Sequence, residues 1–186
     1  GADGGAVAPD GTAESVLNLS VALRVRDLCA FLGVDTVMTR DTEEITYPSE
    51  AKTIAAMKKW DTRRRVEIAE SVDSPVFLSI HQNIYPSSGP RGSQVLYAQN
   101  EPSRALAELI QSRLTAALLP ENWRVPVPAG KDIYIMSHVQ CTAVLVECGF
   151  LSHPQELSLL QSADYQKKIA SVLTACYLQF TEKGVL

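Results

Sequence analysis

The stretch Val76-Phe77-Leu78-Ser79-Ile80-His81-Gln82-Asn83 decides the fold. Four apolar side chains, two of them β-branched, lead without an intervening charge to a histidine and two amides. A short uncharged apolar run of this kind reads as a buried strand that delivers an imidazole at its carboxyl end. Ala143-Val144-Leu145-Val146-Glu147-Cys148-Gly149-Phe150 repeats the design with a carboxylate in place of the imidazole. In open α/β sheets, ligands bind beyond the carboxyl ends of the strands. If both strands lie parallel in one sheet, His81 and Glu147 emerge on the same rim. That pairing suits metal-assisted hydrolysis or general-base chemistry.

The segments around these strands supply the other layers. Residues 1–11 hold four glycines and end in the turn signal Pro9-Asp10-Gly11, and Thr12 is placed to cap a helix from about Ala13 to Leu32. Glu14 falls in that helix's first turn, where the dipole favours an acid. Asp35 to Thr39 reads as a short strand, and residues 41–52 as a polar connection. A helix over Lys52 to Val72 is stopped by Asp73-Ser74-Pro75. Beyond His81, residues 83–92 form a long loop at the active rim, where loops tend to carry function. Further expectations are a strand over Gln94 to Ala98 and a helix over Ala105 to Leu119, opened by Glu101-Pro102-Ser103. A loop over 120–131 leads to a strand over Ile133 to Met136, and helices follow over Pro154 to Leu160 and Asp164 to Phe180. Alternating strands and helices predict one α/β domain, a mostly parallel twisted sheet with helices on both faces.

Composition narrows the function classes. The chain has 186 residues, enough for a single domain with a core, and a net charge of -4, which argues against a nucleic-acid partner. Arg63-Arg64-Arg65 reads as a solvated helix face. Cys29, Cys141, Cys148 and Cys176 show no C-x-x-C spacing, so no zinc knuckle or dithiol motif is expected. Cys29 and Cys176 fall on apolar helix stripes, and Cys148, next to Glu147 on a strand, points to the opposite face, as core. No apolar run approaches the roughly 18 residues that span a bilayer.

Taken together, Ser79-Ile80-His81-Gln82-Asn83 and Leu145-Val146-Glu147-Cys148-Gly149-Phe150-Leu151-Ser152-His153-Pro154-Gln155-Glu156 resemble the zinc-dependent N-acetylmuramoyl-L-alanine amidases of the bacterial cell wall. Val37-Met38-Thr39-Arg40-Asp41 and Arg65-Val66-Glu67-Ile68-Ala69 extend the resemblance over nearly the whole chain, with a further similarity to amidases that act on spore cortex in germination. The resemblance implies hydrolysis of the amide between N-acetylmuramic acid and L-alanine of the stem peptide. It places zinc on Glu14 and His81 and makes Glu147 the general base. Peptidoglycan is then the partner and the site of work lies outside the cytoplasmic membrane, in cell wall, periplasm or spore envelope. Any membrane association would come through a segment upstream of Gly1.

One departure stands out. In this family a first ligand histidine precedes a glycine-rich turn, and Gly1-Ala2-Asp3-Gly4-Gly5-Ala6 looks like the continuation of that motif, without the histidine or its strand. Two ligands in place of three lead us to expect weak or absent zinc binding and little activity from these 186 residues alone. A non-catalytic peptidoglycan-binding protein with a degenerate site, and a metal-free hydrolase using Cys148 with His81 or His138, are the competing readings. His138 is read as a surface or supporting histidine, and His153 as a helix-start residue before Pro154. Arg40 and Asn83 are candidates to line the rim.

Overall fold

A computed structural model describes residues 4–182. The Gly1-Ala2-Asp3 part of the glycine-rich motif lies outside them. Helices α1 (Glu14–Phe31) and α2 (Ile54–Glu70) precede strand β1 (Val76–Asn83) and strand β2 (Gln94–Tyr97). Helix α3 (Glu101–Leu118), the two-residue strand β3 (Val127–Pro128), the short helix α4 (Tyr134–His138) and strand β4 (Thr142–Phe150) follow. Helices α5 (Pro154–Gln161) and α6 (Ala163–Glu182) complete the order.

The strands form one sheet in the order β1-β4-β2-β3. The β1–β4 and β2–β3 pairings are parallel and β2–β4 is antiparallel, so the sheet is mixed, with one reversal. β4 is central because it can be: every residue is buried except Glu147, which is half-buried. A strand with apolar side chains on both faces needs cover on both. One face packs against α1, α3 and α6 through Val144, Val146, Val21, Leu106, Ile110 and Leu173. The other carries α2 and α4, with Val66, Ala69, Ile135 and Met136 against Ala143 and Leu145. α6 docks with Ile169, Leu173, Cys176 and Phe180, all buried. Their spacing of four, three and four follows one helical stripe.

Two elements depart from expectation. Ile133 to Met136 belongs to no strand; its residues enter α4. Met136 and Val139 are buried at helical spacing, and Ile133 N–H closes a turn onto the Gly130 carbonyl. A four-residue apolar run cannot by itself distinguish helix from strand. Residues 35–39 form no strand either. A strand exists through its ladder, and these residues face β1 across a cleft of about 240 Å³, lined also by Val25, Cys29 and Leu173. β1 is thus an edge of the sheet among the described residues.

Thr12 does not cap α1. Ala13 holds the cap position without a side-chain hydrogen bond. Thr12 instead donates its N–H to Asp10 and accepts from the Gln161 amide. The first helical amides are satisfied by the glycine-rich loop: Glu14 N–H donates to the Ala6 carbonyl at 2.8 Å and Ser15 N–H to that of Gly4 at 3.1 Å. This leaves the Glu14 carboxylate free for other work.

Candidate active site

Strand register places the functional side chains. His81 is the parallel partner of Glu147, and Gln94 is the antiparallel partner of the same residue. Directly opposed residues on neighbouring strands project to one face. His81, Glu147 and Gln94 therefore form a row across three strands, on the face that carries α2 and α4. The register of β1 against β4 slips between His81 and Asn83. Within that irregularity Gln82 is buried, and its amide donates to the Asn18 side chain at 3.3 Å.

Glu14 reaches this row from α1. Its Oε1 lies 2.8 Å from His81 Nδ1 and accepts from the Gln82 N–H at 3.2 Å and the Asn18 amide at 3.0 Å. Oε2 accepts from the Ala6 N–H at 2.9 Å. Burial pushes the Glu14 carboxyl upward, but the hydrogen bond and charge of His81, with the Ala6 and Asn18 donors, hold it at about 2. Gly5 permits the arrangement: its φ is +72°, and a Cβ there would run into the Glu14 carboxylate.

Glu147 behaves in the opposite way. Burial raises its carboxyl to about 7; the nearby His81 opposes the rise and the charge of Glu14 adds to it. Its Oε2 is buried without a hydrogen-bond partner. Two carboxylates in one site are thus driven apart, one held as a permanent anion and one poised near neutrality. Such a split separates charge-holding from proton-transfer roles. Cys148 packs in the core on the other face, and burial pushes its thiol to about 12, so it is not a nucleophile at neutral pH.

The remaining candidates separate by place. Arg40 donates to the Ser15 carbonyl at 2.6 Å and to that of Thr42 at 3.0 Å, tying the polar connection to the helix turn that carries Glu14. Asn83 offers its carbonyl to the Leu151 N–H. His138 is exposed, stacks on Tyr134 at 3.8 Å and sits before the amino end of β4. His153 caps α5, accepting from the Glu156 N–H at 3.4 Å.

Three contributors escaped the sequence reading. Gln94 enters the row only through the reversal of β2. Glu156 is buried and accepts from the Gly92 N–H at 2.9 Å and the Phe150 N–H at 2.8 Å, which fixes the loops on either side of the row. Glu156 ends one of the motifs quoted above, but nothing there announces two backbone donors 64 and 6 residues away. Arg124 adjoins Gln94 from a loop with no motif at all.

The donor set has a metal-binding character that is incomplete among the described residues, where no group of three histidine, cysteine, aspartate or glutamate side chains converges. One imidazole nitrogen and one carboxylate oxygen do converge, in Glu14 and His81, and both atom types suit zinc. A divalent cation would take the place of any proton between them.

Residues 1–176 match the family model Amidase_3, N-acetylmuramoyl-L-alanine amidase. The germination-specific N-acetylmuramoyl-L-alanine amidase of Bacillus subtilis is 36% identical over 189 residues, which cover 99% of this chain and 77% of that protein. The amidase LytC of the same organism is 30% identical over 174 residues, 92% of this chain and 32% of the relative. Among solved structures, the CwlD amidase from Clostridioides difficile, in complex with the GerS lipoprotein, superposes with a TM-score of 0.92 at 31% identity, covering 98% of this chain and 93% of that one.

Proposed function

From the premise that this chain belongs to the Amidase_3 family and is an N-acetylmuramoyl-L-alanine amidase, we propose that Glu14 and His81 hold zinc and that Glu147 is the general base. The bond cleaved is the amide between the lactyl group of N-acetylmuramic acid and L-alanine of the stem peptide. The observation that carries the reading is the 2.8 Å contact of Glu14 with His81, with Glu147 opposite His81 on the neighbouring strand and the two carboxyls shifted in opposite directions.

Bound zinc would polarise the scissile carbonyl and make water acidic enough to attack near neutral pH. Glu147 takes a proton from the attacking water on its unpartnered Oε2 and returns it to the leaving amine. A base with a pKa near the working pH does both steps well. Glu14 stays ionised throughout, and its carboxylate and the His81 imidazole would together hold the metal. The work is done outside the cytoplasmic membrane, and the germination-specific relative points to spore cortex as substrate.

Incubation with peptidoglycan and excess zinc is expected to release new alanine amino termini. Glu147→Gln should lower turnover by a factor on the order of 10²–10⁴ while zinc content stays unchanged. Full turnover by that variant would remove Glu147 from the mechanism. Calorimetry is expected to find zinc binding that Glu14→Ala and His81→Ala each weaken, and unchanged binding in either variant would remove that residue from the ligand set.

A further inference from the structure

The row that begins at His81 and Glu147 does not stop at Gln94. Arg124 Nη1 donates to Gln94 Oε1 at 3.0 Å, and its Nε donates to the Arg91 carbonyl at 3.1 Å. The guanidinium lies 4.8 Å above the Phe150 ring and 5.5 Å from that of Trp123. It is therefore held in place by neutral acceptors and ring faces. Its Nη2 has no protein acceptor, and the residue makes no ion pair, among the described residues. The neighbouring cation Arg91 is paired, with Glu121 at 3.2 Å. An unpaired, immobilised guanidinium in a chain of net charge -4 is available for an anion from outside. Beside it Trp123 is 84% exposed, which burial in this fold does not explain.

We propose that Arg124, with Trp123 beside it, is the subsite for a carboxylate of the stem peptide, on the leaving-group side of the scissile bond. This rests on the reading of Glu147 as proton donor to the leaving amine. That role places the scissile nitrogen at Glu147, so the departing peptide runs along the row away from His81, over Gln94. Arg124 then stands on the order of 10 Å from the base, given the spacing of adjacent strands and one glutamine side chain. A carboxylate one residue beyond the alanine is about 7 Å from the scissile nitrogen at the reach of an extended chain. A planar guanidinium with Nη2 left without an acceptor can donate to a carboxylate, and the indole face covers the peptide beside it.

The test is a binding measurement in the Glu147→Gln background, where ligand is not consumed. The probes are N-acetylmuramoyl-L-alanyl-D-glutamate and the same molecule with its α-carboxyl converted to the amide, followed by NMR with the Trp123 indole N–H as reporter. With Arg124 present, the acid is expected to bind roughly 10- to 100-fold more tightly than the amide, and to shift the indole signal. Arg124→Gln should erase the difference, and Arg124→Lys should keep part of it. Equal affinity for the two ligands overturns the proposal. So does an equal loss for both in Arg124→Gln, which would mark Arg124 as a support for its loop. Failure of both ligands to bind with Arg124 in place would count against the amidase reading itself and take this subsite with it.

Discussion

Glu14 and Glu147 have the same side chain and opposite fates, and the difference is what surrounds each carboxylate. The hydrogen bond and charge of His81, with the Ala6 and Asn18 donors, outweigh burial at Glu14, whereas Glu147 has burial and a neighbouring anion against it. Both shifts make stability depend on pH in the metal-free chain. Glu14, lowered from 4.5 to about 2, stabilises the fold above pH 4.5, and that contribution is lost as pH falls toward 2. Glu147, raised from 4.5 to about 7, is best tolerated as the acid. Its contribution is complete below pH 4.5 and is lost as pH rises through 7, at a cost of about 3 kcal/mol. Urea unfolding across pH is therefore expected to give a site contribution that peaks near pH 4.5. Glu147→Gln should flatten the decline between 4.5 and 7. An unaltered decline in that variant would place the responsible proton elsewhere.

At the scale of elements, the site depends on loops that secondary structure alone does not hold. Glu156, in the first turn of α5, spends both oxygens on backbone donors of other segments, Gly92 before β2 and Phe150 at the end of β4. α5 thereby fixes the height at which Gln94 and Glu147 emerge. Glu156→Ala would leave two buried N–H groups unpaired, and we expect a loss of about 2–4 kcal/mol in urea unfolding. Glu156→Gln keeps an acceptor for one of the two and should cost less. Equal stability of wild type and Glu156→Ala would show that water replaces the carboxylate. The glycine-rich loop plays the matching part at α1, where its carbonyls satisfy the helix amides and release Glu14 toward His81.

For the whole molecule, the sheet divides labour between a protected centre and an exposed edge. β4 is bonded on both sides and covered on both faces, while β1 pairs only with β4 among the described residues. Native-state hydrogen exchange is expected to be slowest in the amides of β4, at the global opening free energy. Those β1 amides that point away from β4, toward the cleft lined by residues 34–39, should exchange through smaller openings. Equal protection on both sides of β1 would mean that the cleft is covered in solution. The candidate site straddles the two regions, with the proposed base on the rigid strand and one proposed ligand on the edge strand.

The sequence by itself determined the two strands that matter, because uncharged apolar runs ending in His81 and Glu147 can only be buried and can only present their polar ends at a rim. The inward place of Cys29 and Cys176 on their helices and the core place of Cys148 followed from the same periodicities. The helix α4 and the unpaired segment 35–39 are not legible in the sequence, because short runs lack a period and strands lack meaning without partners. What only the tertiary structure decided is the register that sets His81, Glu147 and Gln94 in one row. It also decided the pKa split between two carboxylates and the recruitment of Glu156 and Arg124 from distant loops. Those depend on distances between segments far apart in the chain, and local side-chain chemistry does not encode them one segment at a time.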